Sequence, residues 1–517
     1  MNKAIAAAGA ALLLAAATGC SAKSTSGSTG SDTSLVVGMN GTVQSLNPVK
    51  NGQSAVLVYL YDPLIYQSAD GKFVADLATS WRYVGADHKT FELKLRTDAT
   101  FADGTTLNAT AVKKSIDYFL DTPNTNSSAV GPISKVDAVD DDTVRVHYSS
   151  AYPNAVSSLT QFYGLGMVIG PDGLKTPSSL DTTPDGVGQY KLNTGSTVSN
   201  SVYTYDANEA YFRPTAVRFK TVQVKVLPDN NARLAALKSG QIDYAVQLPL
   251  AQLGSKAAGD RRVLKSPSTW MVFFFANRAS GPLAEPDVRK ALNHAIDRKS
   301  LATGLYGGYA LAQDQFSPTG AKGYDSDLGG TYSFDTAEAK SLLAKAGYAD
   351  GLKIKVLDNG TVDPNGLLGA ALKQQLAKVG VTVDLKVFNG PFNQFTTELT
   401  SNKYDAYVWN MFSQDMYTAA NLYFAGSGML NTYKLSDTGA DALIDKAATS
   451  SAADSTAAYQ ALNRYLTDNA WGAPVVTRLN TDVVSQDITV PVSNPVTPAV
   501  DPVAPQPELA WSPGRTR

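Results

Sequence analysis

The chain has 517 residues, of which 44% are hydrophobic and 17% charged; that is too much for one compact core of a soluble protein, so about two to four lobes are expected. The formal net charge is −2 and no Arg/Lys stripe appears, which excludes a strongly basic nucleic-acid surface. With one cysteine, Cys20, and only His88, His147 and His294, neither an internal disulfide nor a Cys/His metal cluster is expected.

Residues 1–20 read as a targeting signal: Lys3 supplies the positive start, and Ala4 to Ala17 form an apolar run with Leu12, Leu13 and Leu14. The run is too short to span a hydrocarbon core comfortably, and small residues follow it. Ala17-Thr18-Gly19-Cys20-Ser21 resembles a bacterial lipobox, with Ala17 where a branched residue is usual. Lipidation at Cys20 is expected, and two or more acyl chains anchor stably where one binds only marginally. Residues 21–34, rich in Ser, Thr and Gly, cannot bury enough apolar area to fold and are expected to be a tether.

The mature chain alternates strand and helix patterns. Leu35 to Met39 is a short apolar strand, and Phe91 to Arg96 alternates like a half-buried one. Asn108 opens a helix running through Ile116 and Phe119, and Thr143 to Val146 returns to strand. Val217 to Val226 alternates; a helix follows Pro228-Asp229 and stops near Ser239-Gly240, before a strand at Asp243 to Val246. Met271 to Phe275 is densely apolar. Glu285-Pro286-Asp287 then starts a helix with Val288, Ala291, Leu292, Ala295 and Ile296 on one face. A helix over Ala337 to Ala346, a strand at Leu352 to Leu357, a helix at Leu367 to Val379 and a strand at Val381 to Val387 indicate an α/β lobe with partly parallel pairing. From Val490 onward, Pro491, Pro495, Pro498, Pro502, Pro505 and Pro507 predict an extended or loose tail.

Ser45-Leu46-Asn47-Pro48, Tyr61 to Ile65, Ala75 to Trp81, Gly186 to Tyr190, Arg233 to Asp243, Asp287 to Arg298 and Ala339 to Tyr348 occur in the order of the family 5 extracellular solute-binding proteins, and together the chain resembles that family from about residue 35 to 480. The resemblance implies an α/β, two-lobed, hinged periplasmic-binding-protein-like fold with an additional inserted domain. Mapped by order, lobe I takes 35–55, 185–275 and 476–490, the extra domain 56–184, lobe II 276–475, and 491–517 is the tail. Hinge closure around a solute is the implied motion.

The resemblance also implies a peptide ammonium met by an aspartate after a Trp-containing strand. Asp415 occupies that place, at a longer spacing and without the family's proline. Asp415 equally suits the N-cap of a helix over Met416 to Phe424. Trp409 and Asn410 approach the expected cleft, though a core tryptophan is the plain alternative. Trp270 reads as core, hinge or ligand contact, and Gln53 and Ser54 as cleft-lining or loop residues.

The resulting expectation is a lipid-anchored, monomeric binding protein on the outer face of the membrane. It delivers a small solute, foremost a peptide, to ABC importer permease subunits, without a cofactor, metal or nucleic-acid partner. An oligosaccharide or nickel-chelate binder is the alternative within the class. An exported hydrolase is the alternative outside it, although no G-x-S-x-G, H-E-x-x-H or P-loop motif is present.

Overall fold

Two strands longer than all others, Arg262–Ala276 and Gly472–Val484, run antiparallel through the middle of the molecule. The computed structural model describes residues 34–50, 55–124, 127, 130–254, 256–360, 366–390, 392–412, 416–428, 430–450, 454–491 and 502–514. Cys20, the leader and the tether up to residue 33 lie outside the described residues.

The two long strands stitch together one sheet. From one edge its order is Val381–Phe388, Leu352–Asn359, Ala406–Phe412, Arg262–Ala276, Gly472–Val484, Tyr244–Ala245, Ser34–Met39, Thr221–Val226, Val202–Ala207 and Tyr190–Leu192; Ala310–Ala312 lies beside Gly472–Val484. Each half carries its own parallel core. Leu352–Asn359 is parallel to Val381–Phe388 and to Ala406–Phe412. Ser34–Met39 is parallel to Thr221–Val226 and to Tyr244–Ala245. The halves meet where the long strands lose register between Pro267 and Met271. Proline lacks the N–H a ladder needs, so Pro267 marks the weak point between two lobes.

The dense apolar run at Met271 to Phe275 is explained by burial on both faces. Met271, Phe273 and Phe275 enter one hydrophobic cluster, whereas Val272, Phe274 and Ala276 enter another beneath the helix Pro286–Ala295. That helix buries Val288, Ala291, Leu292 and Ala295 as its spacing predicts. Helices Asn230–Lys238, Thr336–Lys345 and Leu367–Ala377 also form where the pattern places them. Asp229 and Asp335 accept hydrogen bonds from the free N–H groups at the starts of the first two of these helices.

A separate four-stranded antiparallel sheet, ordered Ala78–Tyr83, Thr90–Leu95, Thr143–Tyr148 and Ile133–Ala138, is inserted after the first strand of the large sheet. The helix Ala109–Asp121 buries Val112, Ile116 and Phe119 and is capped by Asn108. Gly186 and Gly188 let the chain return to the large sheet: a Cβ on Gly188 would sit 2.3 Å from the Leu60 carbonyl carbon, and one on Gly186 2.5 Å from the Leu60 oxygen. No helix among the described residues is long and apolar enough to cross a membrane.

The proline-rich tail departs from a loose reading over 502–514. Ser512–Pro513 pairs with Ile488–Thr489, and Trp511 is 0% exposed with its ring 4.7 Å from that of Tyr244. Gln189 Nε2 donates to the Ala504 carbonyl at 2.7 Å, and Arg218 Nη2 to that of Pro507 at 2.9 Å. Proline's missing N–H removes a donor but leaves its carbonyl free to accept, so the segment docks as a strap.

Beneath the strap lie two carboxylates, Asp62 and Asp76, 4% and 1% exposed. Tyr211 Oη donates to Asp62 at 2.5 Å, and Arg213 Nη1 to Asp76 at 3.0 Å. Burial pushes Asp62 up to about 7, opposed by the Tyr211 hydrogen bond and the Arg213 and Arg96 charges. Burial, reinforced by the Asp62 charge, holds Asp76 well above the usual carboxylate range.

Candidate functional site

Strand registers decide which chain ends meet. Ala406–Phe412 is antiparallel to Arg262–Ala276, with Ala406 opposite Ala276 and Phe412 opposite Trp270, so it runs toward the break between the lobes. Leu352–Asn359 and Val381–Phe388 run parallel with it and finish on the same side. In the other lobe, Tyr244 faces Val484 and Ala245 faces Val483, so this strand also runs toward the middle, followed by its parallel neighbour Ser34–Met39. The carboxyl ends of both parallel cores therefore face the same gap. Open α/β sheets bind ligands outside the carboxyl ends of their strands, and here two such edges oppose one another.

Neutral amides gather at these ends. Asn40 follows the strand Ser34–Met39, and its Nδ2 donates to Gln247 Oε1 at 3.0 Å. Gln247 adopts a left-handed φ of 48°, which side chains other than glycine adopt at a cost. Two partners hold it there. Its N–H donates to Asp482 Oδ1 at 2.7 Å, and its carbonyl accepts from Arg233 Nη2 at 3.2 Å. In the other lobe, Asn359, 2% exposed, ends the strand Leu352–Asn359, and Asn410 lies near the end of Ala406–Phe412. Asn410 Oδ1 is buried without a hydrogen-bond partner, while the Asn410 main-chain oxygen accepts from Tyr423 Oη at 3.3 Å. An amide offers both a donor and an acceptor, so such a lining can replace water around a peptide-like or sugar-like solute without placing a fixed charge against it.

The candidates named from sequence are distributed unevenly. Asn410 lies near the end of the strand Ala406–Phe412. Trp409, one residue earlier, is buried at 8% exposure, and its ring meets Phe395 edge-on at 5.5 Å, so in this arrangement it belongs to the core. Strand alternation explains why neighbours part: Trp409 shares a hydrophobic cluster with Phe273, whereas Val408 shares the opposite one with Val272. Trp270 is described by its backbone, which pairs with Phe412 at the break between lobes. Gln53, Ser54 and Asp415 lie outside the described residues; Asp415 falls between the end of Ala406–Phe412 and the start of the helix Met416–Tyr423.

Asn40 and Gln247 were not singled out from the sequence because they follow the short strands Ser34–Met39 and Tyr244–Ala245 without a motif. The available signal was positional, the first polar residue after a buried parallel strand. The three histidines stand apart from the gap and from one another. His88 Nδ1 lies 3.3 Å from the Ala448 carbonyl oxygen, His147 Nε2 3.1 Å from Asp137, and His294 Nδ1 2.9 Å from the Ser333 carbonyl oxygen.

Two α/β lobes joined by crossing strands, with facing carboxyl ends and an inserted antiparallel domain, define a two-lobed periplasmic-binding-protein fold. Residues 72–431 match the family model described as bacterial extracellular solute-binding proteins, family 5 middle, and the chain belongs to that family, the solute-binding components of ABC importers. It is 27% identical over 357 residues to the glutathione-binding protein GsiB of Escherichia coli O6:K15:H31 (strain 536 / UPEC), covering 67% of this chain and 68% of the relative. Among solved structures, the unliganded open form of the periplasmic murein tripeptide-binding protein MppA superposes with a TM-score of 0.79 at 21% identity, covering 89% of this chain and 94% of the other. HbpA2 from Haemophilus parasuis gives 0.80 at 20% identity, covering 93% and 99%.

Proposed function

We propose that the protein is an exported receptor, tethered by lipid at Cys20, that captures a short peptide between its lobes and presents it to importer permease subunits. In this reading it acts as a monomer on the outer face of the cell membrane and carries out no chemistry on its cargo. The observation that carries the reading is the pair of opposed carboxyl edges, whose strands end at or near the amides Asn40 and Gln247 on one side and Asn359 and Asn410 on the other. The peptide class is supported by the relatives that bind glutathione and murein tripeptide. In this reading Asp415 meets the peptide's ammonium, since an uncompensated charge is costly to enclose.

A thermal-shift screen of di- to pentapeptides, reduced glutathione, oligosaccharides and nickel–histidine chelates tests this. A peptide present at about one hundred times its Kd stabilises by about 2.7 kcal/mol. Asp415→Ala is expected to weaken that peptide's binding at least about tenfold, since it strands a buried ammonium. Stabilisation by sugars or chelates alone contradicts the peptide reading. Conversion of the stabilising compound, followed by mass spectrometry, identifies a hydrolase instead.

A further inference from the structure

The inserted four-stranded domain does more than sit beside the first lobe. Its loops reach the second lobe. Asn154, 8% exposed, precedes the short helix Ala155–Ser158. Its Nδ2 donates to Thr418 Oγ1 at 2.7 Å, and its Oδ1 accepts from Tyr459 Oη at 3.2 Å. Thr418 belongs to Met416–Tyr423, the helix that begins directly after Asp415. Tyr459 belongs to the helix Ser455–Asp468. A second contact flanks the first: His88 stacks on Tyr83 with ring centroids 4.3 Å apart and reaches the Ala448 carbonyl at the end of Thr438–Thr449. Tyr83 is itself fixed, since its hydroxyl donates to the Tyr152 carbonyl at 2.5 Å.

We propose that this contact is a closure latch, and that Asn154 is a positioning residue for solute capture. The inference rests on the reading of the interlobe gap as the solute site. The latch joins the inserted domain to the helix that leaves that gap. Every swing of the second lobe about Pro267–Met271 must therefore make or break the Asn154 hydrogen bonds. Apparent affinity scales with the population of the binding-competent arrangement, so a group remote from the solute tunes it. The donors and acceptors of the Asn154 contact are an amide and two hydroxyls, which suits a contact that must open and re-form in water without stranding charge.

Tyr459→Phe and Thr418→Val each remove one latch hydrogen bond while keeping side-chain volume. Each is expected to raise the Kd for the best stabilising peptide of the screen about three- to tenfold, mainly through faster release. Small-angle X-ray scattering of the ligand-free full chain is expected to give a larger radius of gyration for Asn154→Ala than for wild type. Hydrogen exchange is expected to quicken about three- to tenfold in Met416–Tyr423 and to stay unchanged in Thr90–Leu95. An unchanged radius with unchanged exchange overturns the latch. So does an unchanged Kd in both conservative variants. If no peptide stabilises the protein, the peptide reading falls, while scattering and exchange of the ligand-free chain still decide the latch.

Discussion

Trp511→Ala is expected to lower the stability of the first lobe by about 3–5 kcal/mol, the range for truncating a fully buried tryptophan. The expectation follows from three features of the strap. Trp511 is 0% exposed and faces Tyr244, whose own strand lies beside both Ser34–Met39 and Gly472–Val484. The Trp511 backbone N–H donates to the Pro502 carbonyl at 3.1 Å, closing the strap into a loop. Ser512–Pro513 then completes a two-stranded ladder with Ile488–Thr489. Loss of the indole leaves a cavity against a central strand and frees the strap ends together. Calorimetric melting should show a lower first transition, and limited proteolysis should release the C-terminal segment. A variant that melts like wild type with an intact C-terminus contradicts the docking.

The second large effect is a decline of stability with rising pH, centred on the carboxylates under the strap. Asp62 has a folded-state pKa of about 7 against an ordinary 3.8, raised by burial. A group raised on folding contributes its full stability below the unfolded value and loses it as pH climbs through the folded one. Stability should thus fall between about pH 4 and pH 7, at no more than about 1.4 kcal/mol per pH unit for one proton. Asp76 acts in the same direction because burial and the Asp62 charge both disfavour its ionisation. Arg213 and Arg96 oppose the trend without cancelling it. In Asp62→Asn the slope across this window should flatten. It should not vanish, because burial also raises Asp185 and Asp243. Melting temperatures recorded from pH 4.5 to 8.5 in both proteins check this, and a wild-type curve rising through the window contradicts it.

Much of the architecture was legible because the recognised motifs are structural. In the stretch Asp287 to Arg298, Arg289 Nε donates to the Ala470 carbonyl at 2.8 Å, Asn293 Nδ2 to that of Gly472 at 3.0 Å, and Arg298 Nε to that of Pro474 at 2.7 Å. These three side chains clamp the start of the second crossing strand. Arg233, in the stretch Arg233 to Asp243, is likewise 0% exposed and gathers the carbonyls of Leu227 and Gln247. Such residues serve the fold, whatever the cargo.

The proposed solute site was less legible for the same reason. Asn40 and Gln247 are common residue types whose place near the strand ends comes from strand register. Neighbouring positions such as Trp409 and Asn410 part company through a two-residue period that a motif does not show. The strap was hidden because proline density records only which bonds a segment cannot donate. The carbonyls of Ala504 and Pro507 found their donors on Gln189 and Arg218, far away in sequence.

The central claim is that one solute is held by both lobes at once, between facing strand ends. Hydrogen–deuterium exchange of the full chain, with and without the most stabilising compound of the screen, tests it most directly. The account predicts slower exchange in two sets of segments together, those after Ser34–Met39 and Tyr244–Ala245 and those at the ends of Leu352–Asn359 and Ala406–Phe412. Slowing confined to one lobe, or to the surface away from these four strand ends, would contradict it.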